Sequence, residues 1–489
     1  MAELTILQNG KRAVIPFSGQ PVLSDLLQNE GFLLPHPCGG RGTCGKCVVD
    51  IEGAVSEPND AERRIGKRLS CQARLLGDAT VYLTDTSHSE QIETSIGCIT
   101  EELFPMQGQY GAAVDIGTTT VAVKVFNLET GECVGESASR NPQTAVAADV
   151  MGRIEAACKD GGGFLQSSIQ RCIGTLLKEA AGNTVSLDKI DSVVLTGNTT
   201  MLYLLTGMNP EPLSHAPFYA EHLFGTELEI LGRHAYLPPC MDAFVGADIT
   251  CAVLASKMCH TGEIALLCDV GTNGEMALWK DGRLYVASTA AGPAFEGAGI
   301  SCGCGSIQGA IDRVWLEGEQ LRVHSIGDKE PVGICGSGLI DAIAAGLESG
   351  CIDETGALEE EVFPISGTVQ LMKRDIRAVQ LAKAAIAAGI ATLTETAGIS
   401  LDDIQTLYIA GGFGSHLNVE SAAAIGLIPD VLKDRVDILG NASLAGAVSA
   451  LLDTHQWQNL SAIASSSSRV DLGGNPRFNE HYIDHMLFE

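Results

Sequence analysis

Polar and apolar residues alternate over residues 3–7 and again over 12–17 ("RAVIPF"), on either side of an Asn9-Gly10 pair. That pattern predicts two strands joined by a tight hairpin. "PVLSDLLQNEG" follows, with Leu23, Leu26 and Leu27 on one face, and predicts a short helix ended by Gly31. "CVVDIEG" then reads as a strand, and residues 79–83 alternate as a last one. Hairpin, helix, loop and returning strands make a small α+β unit of β-grasp type over residues 1–84. Residues 85–110 are polar and weakly patterned, and are expected to be a linker.

From residue 111 the pattern changes to continuous apolar runs, which predict buried strands, alternating with Ala- and Gly-rich helical stretches such as 163–182 and 378–398. "VDIGTTTVAVKVFNLETG" (114–131) and "CDVGTNGEMALWKDG" (268–282) repeat Asp, an apolar residue, Gly and Thr before a strand and a turn. Asp115 and Asp269 stand 154 residues apart. The repeat predicts a duplicated α/β architecture with halves at 111–262 and 263–489. Residues 465–475 ("SSSSRVDLGGN") are expected to be loop, before a terminal segment with Phe478, Tyr482 and Met486 at helical spacing.

Net charge changes the picture only by exclusion. A balance of −29 argues against a nucleic-acid partner, which needs a basic face. Residues 1–84 hold nine Lys/Arg against nine Asp/Glu, so the acidity lies beyond them. With no run of eighteen apolar residues no membrane span is predicted, and the first residues lack a signal-peptide pattern. A cytoplasmic location is the resulting expectation, and sixteen cysteines then point to metal ligation or packing rather than disulfides.

Four of those cysteines have a spacing of their own. Cys38, Cys44 and Cys47 sit in "PCGGRGTCGKC", and Cys71 returns 24 residues later. Structural zinc sites usually pair two short knuckles. Here three ligands share one loop, a C-x5-C-x2-C-x23-C pattern that resembles 2Fe–2S binding in ferredoxins of the adrenodoxin-like class. Glycines 39, 40, 42 and 45 let backbone wrap inorganic sulfide; Arg41 and Lys46 are expected to be solvated loop charges, with added positive potential at the cluster the alternative. A 2Fe–2S cluster on the four cysteines is the expectation, with zinc the rival that colour and sulfide analysis would separate.

The duplicated loops suit phosphate. Gly117 permits close approach, Thr118, Thr119 and Thr120 supply donors, and Asp115 can position hydrated Mg2+. Asp269, Gly271, Thr272 and Asn273 repeat the arrangement. "DSVVLTGNTTMLYLL" brings a strand to Gly197 and Asn198, "ICGSGLIDAI" opens a helix at Gly336, Ser337 and Gly338, and "LYIAGGFGSHLNV" breaks a strand at Gly411, Gly412 and Gly414. In this order the pieces resemble the ATP-binding motifs of the acetate and sugar kinase, heat-shock chaperone and actin superfamily. Cys302, Cys304 and Cys335 match a second cluster poorly and are expected to be packing residues. The charge-free loop carrying the first two is a candidate partner contact. His416 is expected to be a solvated loop residue, and Lys124 is a weak phosphate candidate.

The two halves together resemble one family, the reductive activators of corrinoid-dependent methyltransferases and O-demethylases. The resemblance runs through "PCGGRGTCGKC", "VDIGTTT", "TGNTTML", "CDVGTNGE", "GPAFEGAGISCG", "CGSGLIDA", "VQLAKAAI", "YIAGGFG", "IGLIP" and "LGNASLAGA". It implies an ATP-hydrolysing iron–sulfur oxidoreductase that reduces inactive cob(II)alamin to cob(I)alamin on a corrinoid protein. It further implies Asp115 and Asp269 as the catalytic carboxylates, with 2Fe–2S, ATP and Mg2+ as cofactors and a low-potential electron donor upstream. The oligomeric state is open and allows a homodimer. Two departures stand out: longer members carry a further middle domain that 85–110 is too short to hold, and "SCGCGS" replaces "SCGM". Two other classes compete, an activator of a radical dehydratase or reductase and a redox-sensing nucleotide-binding protein.

Overall fold

The computed structural model describes residues 2–8, 11–29, 32, 34, 42, 47–83, 103–160, 162–411 and 416–488. The strands Ala2–Gln8 and Lys11–Phe17 pair antiparallel, as their alternation predicts; the Asn9-Gly10 turn and Gly31 lie outside the described residues. Ala2–Gln8 also runs parallel to Leu75–Leu83, which pairs with Val48–Val55, and Arg68–Leu69 closes a five-stranded mixed sheet. Leu4, Ile6, Val49, Leu75 and Val81 meet Leu23 and Leu27 of the helix Leu23–Asn29 in one apolar core. A second helix, Asp60–Ile65, was not expected. "NDAE" carries its signal, because Asn59 and Glu62 cap each other's backbone in a capping box.

Two six-stranded sheets dominate the rest, with a three-stranded and a two-stranded sheet beside them. Each six-stranded sheet starts with a three-strand antiparallel meander: Tyr110–Ile116, Thr120–Asn127 and Cys133–Arg140 in the first, Ala265–Val270, Gly274–Lys280 and Arg283–Thr289 in the second. The first strand of each meander then takes a parallel neighbour, Ile190–Gly197 or Thr406–Ala410. Asp115 consequently lies beside Thr196, and Asp269 beside Ala410. The repeated Asp-x-Gly-Thr loops therefore emerge at equivalent sheet positions, each next to a glycine turn.

The helices Ala247–Ser256 and Ala442–Leu452 pack between the sheets, in a cluster that takes Ala113, Ala122 and Phe126 from one and Ala265, Leu267 and Ala277 from the other. Gly446 permits their contact, because a Cβ there would stand 2.1 Å from the Cys251 carbonyl oxygen. Gly163–Ala181 covers the outer face of the first sheet. The second is covered by Gly336–Glu348 and Lys373–Ala397. Among the described residues, Lys373–Ala397 alone has the length and hydropathy to cross a membrane, and 78% of its apolar window is buried inside the protein.

Four expectations need correction. Lys373–Ala397 starts five residues before the predicted 378, because buried Asp375 caps it through the Met372 amide while Lys373 and Arg374 face outward. The 465–475 stretch is not all loop: the helix Gln456–Ser466 runs into it, and Ser467–Arg469 pairs parallel with Arg283–Thr289 as an edge strand. At the chain's end the helix Pro476–Asp484 holds Phe478 and Tyr482 and stops short of Met486. The linker, too, ends before 110. Residues 84–102 lie outside the described residues, but the amides of Phe104 and Met106 donate to Leu452 and Leu451 carbonyls, and Met106 is buried.

Candidate nucleotide cleft and cluster site

The first phosphate-type loop is tied down from behind. Gly117 N–H donates to the Thr120 carbonyl at 2.9 Å, and a Cβ on Gly117 would lie 2.7 Å from that oxygen, so the turn needs glycine. Asn141 donates from its side chain to Gly117 O (2.8 Å) and from its backbone to Thr119 O (2.7 Å). Arg153, wholly buried, donates to Thr118 O (2.5 Å), Ala147 O (3.0 Å) and Gln143 Oε1 (3.3 Å). Burial lowers its pKa to about 10, against the fields of Asp149 and Glu296. With the carbonyls engaged on that side, Gly117, Thr118, Thr119 and Thr120 line the cleft. Asn198 donates to Thr118 Oγ1 (3.0 Å) while its oxygen caps the helix Thr199–Thr206.

Across the cleft, Gly271, Thr272 and Asn273 form the second loop, closed by Gly271 N–H to Asn273 O at 3.0 Å. One carboxylate joins the two loops. Glu296 accepts from Thr119 Oγ1 (2.5 Å) with one oxygen and from Thr272 Oγ1 (2.8 Å) with the other.

Asp115, Asp248, Asp269 and Glu275 also line this space. Asp115 accepts from Asn441 Nδ2 (3.0 Å) and Ser443 Oγ (2.9 Å) at the start of Ala442–Leu452; loss of hydration still raises its pKa against those bonds. Asp269 is pushed up to about 7, by loss of hydration first and then by Asp115 and Glu296. Asp248, in the first turn of Ala247–Ser256, is pushed up to about 8 by loss of hydration and then by Asp269 and Asp115. Glu275 rises well above the carboxylate range for the same cause, with Asp248 and Asp269 adding to it. Gly411 closes in behind, since a Cβ there would meet Asp269 Oδ1 at 2.6 Å.

A cluster of acids with few cations calls for a hard cation. Among the described lining residues the basic ones are Arg140 and His416. The donors are oxygens, the chemistry of Mg2+ rather than of a soft metal. Among the described residues no three His, Cys, Asp or Glu side chains converge as a metal cage. Mg2+ commonly keeps its waters and takes phosphate oxygens alongside one or two carboxylates, so the acids fit a hydrated ion carried in with a nucleotide.

Most of the expected nucleotide residues come together here. Asp115, Gly117, Thr118, Thr119, Thr120, Asn198, Asp269, Gly271, Thr272, Asn273, Gly336, Ser337 and Gly411 line one cleft. Gly197 and Gly338 serve it from outside: a Cβ on Gly197 would lie 2.6 Å from Ile116 O, and one on Gly338 2.3 Å from Ile311 O. Gly412 and Gly414 lie outside the described residues. Lys124 is no phosphate ligand, because it pairs with Glu136 on the neighbouring strand at 2.8 Å. His416 and Cys304, expected to be bland, line the cleft with Cys335, whereas Cys302 donates to Gln370 O at 3.1 Å.

Of the cluster cysteines, Cys38 and Cys44 lie outside the described residues, as do Arg41 and Lys46. Cys47 and Cys71 bring their sulfurs to 3.3 Å. That is too long for a disulfide, at about 2.05 Å, and short enough for two thiolates on one metal. Glu62 braces the strand Arg68–Leu69 just before Cys71, accepting from Arg68 Nε and the Leu69 amide at 3.0 Å each.

Comparison with known proteins places this pairing of sites. Residues 6–76 match the 2Fe-2S iron-sulfur cluster binding domain, 110–261 the RACo middle region, and 263–489 the C-terminal domain of RACo, the ASKHA domain. The corrinoid activation enzyme RamQ of Eubacterium limosum is 32% identical, over 97% of each chain. The chain belongs to the RACo family. A [Co(II) methylated amine-specific corrinoid protein] reductase of Methanosarcina barkeri is 27% identical over 78% of this chain and 77% of its own. The solved structure of a reductive activator for corrinoid,iron-sulfur protein superposes with a TM-score of 0.74 at 27% identity, covering 99% of this chain and 98% of that one. The RamQ alignment runs over 581 positions, more than the 489 residues here, so RamQ carries insertions relative to this RACo-family chain. The middle region of RACo is nonetheless present, as the first half of the ATPase.

Asp248, Glu275, Glu296 and Arg153 were not singled out from the sequence. For Asp248 a signal existed: "VGADIT" puts an acid just after a glycine at the start of an apolar helix, and a Cβ on Gly246 would lie 2.4 Å from Asn198 Cα. For Glu296 and Arg153 the roles come from distant loops, Thr119 lying 177 residues from Glu296 and Thr118 lying 35 from Arg153.

Proposed function

We propose that this RACo-family chain carries out ATP-dependent reductive activation of a corrinoid protein, returning cob(II)alamin to cob(I)alamin for a methyltransferase or O-demethylase system. The observation that carries the reading is the carboxylate-lined cleft between two phosphate-type loops, in a chain whose N-terminal sheet brings two cysteine sulfurs together. Held by Cys38, Cys44, Cys47 and Cys71, a 2Fe–2S cluster supplies electrons one at a time.

The reduction is uphill from ordinary donors, and each ~59 mV of one-electron deficit costs about 1.4 kcal/mol. Nucleotide helps only if it changes the relative stability of two states of the activator–corrinoid complex. The chain has a suitable pivot. Ala247–Ser256 and Ala442–Leu452 lie between the sheets and both begin at the cleft, one presenting Asp248 and the other holding Asp115 through Asn441 and Ser443. The threonine hydroxyls and loop backbone bind phosphate, Asp115 and Asp269 orient hydrated Mg2+, and Asp248, whose pKa burial and then Asp269 and Asp115 raise, completes the acid cluster around the attacking water. A paired experiment tests the division of labour. Asp269→Ala should abolish corrinoid-stimulated ATP hydrolysis and reduction with the iron–sulfur absorption intact, and Cys71→Ser should lose that absorption with nucleotide binding intact. Reduction that persists in Asp269→Ala would reject the coupling.

A further inference from the structure

We infer that Glu296 is a latch between the two phosphate loops, which the terminal phosphates of ATP must displace. The inference rests on the nucleotide reading above and adds a residue that works against binding. A threonine hydroxyl has one proton to donate. Thr119 and Thr272 both give theirs to Glu296, at 2.5 and 2.8 Å. Neither can offer the same proton to a phosphate while the carboxylate stays, and carboxylate and phosphate repel each other. Nucleotide therefore either forgoes a donor from each half or expels Glu296.

Expulsion does not stop at the side chain. Glu296 ends the single turn Pro293–Glu296, with Gly297 N–H bonded to Ala294 O and Ala298 N–H to Pro293 O. Gly297, in the left-handed region at φ 72°, is pressed against the following loop: a Cβ on it would lie 2.5 Å from Cys304 O, and one on Gly303 would lie 2.1 Å from Gly297 O. The turn has no room to tilt without moving residues 297–305. That loop reaches the surface at Ser301, which Asp375 holds by its backbone and hydroxyl and Arg374 by its guanidinium. Filling the cleft thus loosens a charge-free loop that surfaces at Gly299 and Ser301, joining ATP occupancy to the outside of the second half.

The test measures binding of a Mg2+-bound, non-hydrolysable ATP analogue to the full chain by calorimetry, for wild type, Glu296→Gln and Glu296→Ala. Removing the competing acceptor should lower the Ala variant's dissociation constant about tenfold, with Gln between. Unchanged or weaker binding in a folded variant would overturn the latch. Unchanged binding with collapsed turnover would make Glu296 a catalytic carboxylate and overturn it equally. Wild-type protein gives an independent answer should the variants not fold: the analogue should speed hydrogen exchange at residues 297–305, and unchanged or slowed exchange refutes the inference. Wild type that binds no nucleotide would instead remove the functional reading, and the latch with it.

Discussion

Gly446→Ala should disable the nucleotide machinery from within the hinge. The added Cβ would stand 2.1 Å from Cys251 O, 2.5 Å from its carbonyl carbon and 2.6 Å from its Cα, all atoms of a helix backbone that cannot turn aside. Restoring van der Waals distance pushes Ala442–Leu452 and Ala247–Ser256 apart by at least about 1 Å, and overpacking of this kind costs about 1–3 kcal/mol. The helical gain of alanine over glycine, about 0.5–1 kcal/mol, offsets only part of that. The helices begin at Asn441 and Ser443, which hold Asp115, and at Asp248. A displacement of about 1 Å at reacting groups costs on the order of 100-fold in rate. Thermal unfolding and corrinoid-stimulated ATP hydrolysis read the two effects, and iron content should not change. Gly174→Ala is the control: it lies inside Gly163–Ala181 with nothing within 4 Å of its added Cβ, and should leave turnover alone while raising stability slightly. Wild-type melting and turnover in Gly446→Ala would refute the reasoning.

Three further outcomes follow from the buried charges. Asp248 and Asp269 are protonated below about pH 8 and 7, so Mg2+ binding should weaken as pH falls through that window and release protons, a release that calorimetry in buffers of different ionisation enthalpy detects. Folded values raised above an unfolded ~4 mean the unfolded chain binds fewer of these protons, so these acids reduce the stability of metal-free protein as pH rises from about 5 to 8; Mg2+ should offset the loss in a melting series. Arg153→Met should leave Thr118 O and Ala147 O without their donor, at about 1–3 kcal/mol for each acceptor left unsatisfied, and should lower both melting temperature and nucleotide affinity. Wild-type affinity in that variant would mean the first loop holds its shape unaided.

What could be read from the sequence was what repeats or alternates. The hairpin of Ala2–Gln8 and Lys11–Phe17 follows from period-two alternation, and the two meanders from the paired Asp-Gly-Thr stretches. Less visible were features set by contacts across the chain. Glu296 meets Thr119 over 177 residues, and Asp115 meets Ser443 over 328. Arg153 looks like one charge among several on a short helix, yet it is wholly buried under a loop 35 residues away. Ser467–Arg469 has the composition of a loop and becomes a strand because Leu284–Val286 offers a free sheet edge beside it. Local pattern fixes elements, whereas the acids of the cleft meet only where the two interlobe helices cross.

The most direct measurement of the central claim is spectroscopic and anaerobic. A cob(II)alamin-loaded cognate corrinoid protein is mixed with the reduced full chain at a clamped low potential, and the cob(I)alamin spectrum is followed before and after ATP and Mg2+ are added. The account predicts little cob(I)alamin before ATP and its accumulation afterwards, with ATP hydrolysed only when the corrinoid protein is present. Equal reduction with and without ATP would contradict it.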